Sequence, residues 1–221
     1  MNNIPSIFVV VAASTLVTLS LTRAVPSSAA PATPVSVTHS LSDVRTGQYK
    51  LDHDHARIVW NVSHHGYSTF SAMFSDVEGT LSFDAADPTR SKLDATVSMN
   101  SVGTFLPEFD GRLKGAPYFN TAMFPTARFV STRIERLSAT GLRVTGNLTF
   151  LGVTRQVDLE ATFNQAGQGM GPPGYRVGFD GRLVVKRSDF GMTPSNLTTV
   201  GDAVTLQIEA EFQEAGAPSP H

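Results

Sequence analysis

From residue 47 onward the chain alternates apolar and polar side chains with a period of two, the repeat of a pleated strand that buries one face, and helical periodicity is scarce. Leu93, Ala95, Val97 and Met99 alternate with Asp94, Thr96, Ser98 and Asn100, and Leu142, Val144, Leu148 and Phe150 with Arg143, Thr145, Asn147 and Thr149. The pattern returns in Val153, Val157, Leu159, Ala161 and Phe163, then in Tyr175, Val177, Phe179, Leu183 and Val185, and last in Val204, Leu206, Ile208, Ala210 and Phe212. Further strands near Gly47 to Leu51, Arg57 to His65, Phe70 to Asp84 and Thr126 to Ile134 bring the count to eight or more. Short polar or glycine-containing turns join most of them, which predicts an all-β fold, an antiparallel barrel or sandwich. The stretch Leu106 to Tyr118 breaks the alternation and predicts a short helix or covering loop.

Eight strands closed into a barrel enclose a space that side chains fill or that one small ligand occupies. If the apolar faces line it, the occupant is apolar, because burial contributes roughly 25 cal/mol per Å² of nonpolar area. Trp60, Val62 and His64 take the inward phase, with Phe70, Phe74, Val144, Phe150, Phe179 and Phe212 as further lumen candidates. Alternation reports the side of the sheet and not the presence of a void, so ordinary core packing accounts for each of them equally well.

The stretch LDHDHARIVWNVSHHG, residues 51–66, holds four of the six histidines. His53 and His55 have the i, i+2 spacing of half a metal site. The phase opposes it. Tyr49 and Leu51 place odd positions inward, whereas Ile58, Trp60, Val62 and His64 place even ones inward, so the chain must turn or bulge between residues 52 and 57. In that kink Asp52 and His55 form a hydrogen-bonded polar turn, and no metal site is assigned. His64 and His65 face opposite ways if both are in strand. Three readings stay open on the residues alone: a lipid-binding barrel, a metalloprotein or enzyme built on His53, His55 and His64, and a packed barrel acting through its surface.

Other motifs carry no chemistry. Gly169, Gly171 and Gly174 spell G-x-G-x-x-G, but a strand follows where a dinucleotide site needs a helix N-terminus. Asp189-Phe190-Gly191 lacks the catalytic loop and strand lysine of a kinase, and no G-x-S-x-G elbow supports acyl transfer. No catalytic residue and no cofactor are assigned. Seventeen basic residues against 19 acidic ones, a net charge of -2 and no basic block argue against nucleic acid as a partner. The absence of cysteine removes disulfides and thiolate chemistry.

Residues 4–22 are uncharged and mostly apolar, and the small residues Ser27 to Ala30 offer a cleavage site after Ala29. The expected organisation is a secretory signal peptide over 1–29, a flexible lead-in over 30–46, a barrel domain over 47–214 and a disordered tail over 215–221. This implies a periplasmic or secreted protein. The leader has no Lys or Arg before its apolar run, so an uncleaved N-terminal anchor is the alternative.

The order of local patterns resembles the YceI-like family of secreted, lipocalin-like barrels that bind polyisoprenoid lipids. The resemblance rests on Tyr49, Leu51, Asp52 and His55; on His64, Gly66, Ser68 and Thr69; on Phe74 before Gly79 to Asp84; and on Leu113-Lys114 with Tyr118 to Asn120. It continues through Phe124-Pro125, Arg128-Phe129, Gly146 to Thr149, Gly152 to Thr154, Arg187 to Met192 and Gly201 to Val204. Leu151 and Arg112 stand where histidines are common in that pattern, Ala56 where serine is, and Ala72 where glycine is. The resemblance implies a lipocalin-like barrel of about eight strands whose lumen threads a polyisoprenoid amphiphile, quinone-like or polyprenol-like, with the polar head near the opening. It also implies a homodimer and transient contact with a membrane as partners to look for.

Overall fold

The computed structural model describes residues 36–168, 174–192 and 199–216. The expected signal peptide, the start of the lead-in, the end of the tail, Gly169 and Gly171 lie outside the described residues. The elements are β1 (Val37–Thr38), β2 (Gly47–Leu51), β3 (Arg57–His64), β4 (Ser68–Phe74), β5 (Val77–Phe83), β6 (Lys92–Ser98) and β7 (Val102–Gly103). Helix α1 (Pro107–Lys114) follows, within the stretch that lacked alternation, and then β8 (Thr126–Arg136), β9 (Gly141–Phe150), β10 (Val153–Gln168), β11 (Tyr175–Lys186) and β12 (Val200–Glu214).

All pairings are antiparallel, and they close. β8 pairs with β9, β9 with β10, β10 with β11 and β11 with β12. The other edge of β12 bonds to β3 over Val200 to Glu209 and to β2 over Phe212 to Glu214, so β2 and β3 act as one bent strand. β4 and β5 form the next lane, pairing with β3 and β2 respectively, and β7 and β6 the one after, with β6 returning to β8. Counted by lane this is a closed barrel of eight strands with additional short segments.

The three bent lanes change phase at one level. Between Leu51 and Ile58 the chain makes a short 3-10 turn at His53–His55, which restores the inward phase of the apolar residues. The stretch from Phe70 to Asp84, read above as one strand, is two: Phe74 and Val77 both point inward, and two residues between them absorb the shift. The 3-10 turn Met99–Ser101 does the same between β6 and β7. The bends are tied side by side, since the Ser98 amide donates to the Asp76 carbonyl at 2.9 Å and His53 Nε2 lies 3.4 Å from Asp76 Oδ1.

The described part of the expected flexible lead-in is fixed. β1 adds to the edge of β10, and a 3-10 turn at Leu41–Asp43 carries Leu41 and Val44 into the core at 0% and 2% exposure. This segment crosses one rim of the barrel. His39 Nδ1 meets the Asn164 carbonyl at 2.9 Å, the Arg45 guanidinium lies 4.3 Å from the centre of the Tyr175 ring, Tyr49 donates to the Arg45 carbonyl at 2.6 Å, and Ala85 donates to Thr46 Oγ1 at 2.9 Å. Two buried apolar side chains outweigh the local preference of a Pro/Ser/Thr-rich stretch, at about 1.5–3 kcal/mol each.

Gly167 permits the contact with β1. Its φ is 155°, and a Cβ there would lie 2.3 Å from the Ser36 carbonyl oxygen and 2.8 Å from the Val37 Cα, both backbone atoms. Gly167→Ala is therefore expected to detach the N-terminal strap. Hydrogen exchange should quicken across residues 36–46 while β8 and β9 keep their protection; unchanged exchange in the strap would contradict this.

Candidate functional site

The barrel interior is hollow. A cavity of about 490 Å³ runs inside it, within the range of small-molecule sites. Every lumen candidate lines it: Trp60, Val62, His64, Phe70, Phe74, Val144, Phe150, Phe179 and Phe212. So do the alternating residues of β6, Leu93, Ala95 and Val97, and those of β12, Val204, Leu206, Ile208, Ala210 and Phe212. Strand geometry explains the lining directly, because residues two apart share a face. Ala161 and Gly181 are register partners across β10 and β11, and their small size keeps that part of the wall thin.

The two rims differ. The rim crossed by the N-terminal strap is backed by Leu41, Val44, Tyr49, Phe163, Tyr175 and Val177, all buried. The opposite rim carries the turn after β3, the start of β12, the hairpin between β9 and β10, and α1. There the lining includes exposed His64, His65 and Arg112, which mark where the cavity meets the surface. An aromatic series leads inward from it: Phe109 to Phe70 at 5.4 Å between ring centres, Phe70 to Trp60 at 5.8 Å, Trp60 to Phe119 at 6.4 Å, Phe119 to Phe150 at 6.2 Å and Phe150 to Phe190 at 5.6 Å.

His65 departs from the sequence reading. β3 ends at His64, and His65 enters a tight turn with φ 54°, followed by Gly66 at 72° and closed by the Tyr67 amide on the His64 carbonyl at 3.1 Å. Leaving the strand lets both imidazoles reach the same rim, edge to face at 4.4 Å. Arg187, which enters the sequence reading only within the family pattern and not as a lumen residue, is 8% exposed and lines the cavity. Its guanidinium donates to the carbonyls of Gly201 at 3.0 Å and Val200 at 2.6 Å. Burial pulls its pKa below the ordinary value, opposed by the nearby Asp202 and Tyr118. Asp202 itself accepts from the Ser188 amide and hydroxyl. A basic residue after a strand gives no sequence signal of burial.

The three histidines of the metalloprotein reading are not gathered. His53 and His55 lie beyond one end of β3 and His64 closes the other, about 23 Å away at 3.3 Å per residue. His55 Nδ1 instead meets Asp52 Oδ2 at 3.0 Å, and the Asp54 amide donates to Asp52 Oδ1 at 3.1 Å, which holds the polar turn. Asp52, His55 and Glu211 offer ligand atoms within 4.8 Å of one another. Arg176 already occupies that space, since its Nη1 donates to Asp52 at 2.6 Å and to Glu211 at 3.0 Å. A guanidinium between the carboxylates takes the place a cation would hold.

A closed antiparallel barrel with a hollow apolar interior, polar at one rim, defines a lipocalin-like protein. The YceI-like domain model matches residues 49–212. The YceI protein of Salmonella arizonae is 38% identical over 167 residues, covering 74% of this chain and 85% of its own length. The Campylobacter jejuni YCEI crystal structure shares 28% identity at a TM-score of 0.61, over 69% of this chain and 89% of that one. The same fold recurs in Burkholderia cenocepacia BcnA, 22% identical with a TM-score of 0.66 over 73% of this chain and 98% of that one. It recurs too in a polyisoprenoid binding domain from Saccharophagus degradans, 18% identical with a TM-score of 0.58 over 77% and 98%. The chain belongs to the YceI-like family.

The polar turn makes a pH-dependent contribution to stability. Burial would raise the Asp52 carboxyl, but hydrogen bonds from Arg176, His55 and the Asp54 amide outweigh it and hold the pKa below the usual value. A carboxyl more acidic in the folded state stabilises the fold above its unfolded pKa, and that contribution disappears as pH falls through the folded value. Denaturant unfolding should show Arg176→Met to be less stable near neutral pH by about 2–4 kcal/mol, with the deficit shrinking below about pH 4. A deficit that is constant with pH would contradict the pairing.

Proposed function

We propose that this protein is a periplasmic or secreted carrier that holds the prenyl chain of a polyisoprenoid amphiphile, quinone-like or polyprenol-like, inside its barrel. The observation that carries this reading is the hollow apolar lumen of about 490 Å³. Each methylene moved from water into such a space contributes about 0.8 kcal/mol, so a tail of several isoprene units binds without a specific polar contact. The Saccharophagus domain of the same fold is a polyisoprenoid binding domain, which supports the choice of ligand class. The apolar leader and the small residues up to Ala30 support export.

Transfer from a bilayer also has support. Tyr67 in the turn after β3, Phe105 and Leu106 just before α1, and Met123 in the segment after it are exposed large hydrophobics, with Tyr67 and Phe105 at 93% and 84%. Exposed apolar groups of this size are suited to touching a membrane while a lipid passes. Among the described residues no helix is long and apolar enough to cross one.

Protein purified from its own cells and extracted with organic solvent should release a prenyl lipid in mass spectrometry. Ala161→Phe, which adds a ring into the lumen, should weaken uptake of added polyprenol by at least about tenfold while leaving the melting temperature within a few degrees. Wild-type protein that carries no lipid and takes up neither polyprenols nor quinones at micromolar concentration would overturn the proposal.

A further inference from the structure

The two coverings of the barrel are fastened in different ways. The strap is hydrogen-bonded to the wall, from β1 to β10, from His39 to the Asn164 carbonyl and from the Ala85 amide to Thr46. The other covering is residues 105–124, which contain α1. Among the described residues, no hydrogen bond or ion pair joins this segment to the strands of the wall. The amides of Phe109 and Asp110 donate to the Leu106 carbonyl, those of Tyr118 and Asn120 to Gly115, Phe119 to Leu113, Thr121 to Lys114, and Met123 and Phe124 to Asn120. At its start, Asp110 Oδ1 accepts from the Thr104 amide at 2.8 Å and the Thr104 hydroxyl at 2.5 Å. The segment thus holds itself together and rests on the barrel through apolar side chains. Leu113 is buried, Phe109 meets Phe70 at 5.4 Å between ring centres, and Phe119 meets Trp60, Phe74 and Phe150 at 6.4, 5.5 and 6.2 Å.

We propose that residues 105–124 are a lid that swings away from the barrel as one body, and that the cavity fills and empties through the gap this leaves. It pivots between Phe105 and Pro125, whose carbonyl is held to the wall by the Met99 amide at 2.9 Å. The proposal rests on the lipid-carrier reading for the need to admit a ligand; the motion itself does not. The closed position carries two costs. Phe105 has φ 62°, a left-handed backbone that is strained for an aromatic residue, and its ring is 84% exposed, so no packing of that ring compensates. Trp60 Nε1 is buried without a hydrogen-bond partner, the single such side-chain atom among the described residues. Opening lets Phe105 return to an ordinary φ and admits water to the side of the indole that Phe119 covers. Because the segment's hydrogen bonds are its own, it keeps them as it moves, and α1 need not unfold. Closed and open positions then differ by the apolar contacts of Phe109, Leu113 and Phe119 set against those two costs, a balance that leaves a minor open state populated.

Two variants shift the lid in opposite directions. Phe105→Gly removes the left-handed penalty and favours the closed position, and Phe119→Ala removes an apolar anchor and favours the open one. Phe119 also lines the cavity whereas Phe105 does not, so Phe105→Gly is the deciding variant. The apolar dye N-phenyl-1-naphthylamine is mixed with the whole protein in a stopped-flow instrument, with no membrane present. Dye entry should be about threefold slower in Phe105→Gly and at least about tenfold faster in Phe119→Ala. Trp60 is the only tryptophan of the chain, so acrylamide quenching in dye-free protein reports on the same motion, and it should weaken in Phe105→Gly. Slower dye entry in Phe105→Gly supports the lid, and entry that is unchanged or faster there overturns it. Dye excluded from the wild type as well would count against the carrier reading. In that case quenching decides the lid: weaker quenching in Phe105→Gly supports it, and quenching equal to wild type overturns it.

Discussion

The wall of this barrel closes through β12. One edge of that strand bonds to β11 along its length, while the other is shared between β3 and β2. A single straight strand in the place of β2 and β3 could not keep its apolar residues inward over both halves, because the phase differs by one residue between Leu51 and Ile58. The short turn at His53–His55 corrects it, and the neighbouring lanes bend at the same level. Without those aligned corrections, part of the inner face would present Arg57, Asn61 and other outward residues to the lumen, and an apolar cavity could not form.

The same bends set the surroundings of the histidine-rich stretch, which ties neighbouring strands together. Asp52 and His55 fix the turn, Arg176 joins it to β11, and Glu211 joins it to β12, so residues that resemble a ligand set by type are arranged as a clamp at the seam. The donors that face the cavity stand at the other end of β3. The molecule therefore separates a seam that ties the wall together from a rim at which the cavity reaches the surface.

Much of the wall was legible because period two is a direct consequence of strand geometry. The phase change between Leu51 and Ile58 could be read from the inward residues; the same signal lies between Phe74 and Val77, where polar Ser75 and Asp76 interrupt the stretch that reads as one strand. Leu41 and Val44 could not be recognised as buried: they are isolated apolar residues in a Pro/Ser/Thr-rich stretch, with no repeat to assign them a face. The lumen candidates followed from alternation, whereas the existence of a void did not, because packing and hollowness produce the same pattern. Arg187 and the convergence of His64 with His65 depend on a tertiary contact and on one backbone angle, neither of which leaves a periodic trace.

The account stands on a water-poor channel open to a prenyl chain, and electron density shows that most directly. A crystal structure of the protein isolated from its own host should contain elongated density along the lumen, in contact with Trp60, Phe150 and Phe179. A lumen closed by inward-collapsed side chains, or one holding only ordered water, would contradict it.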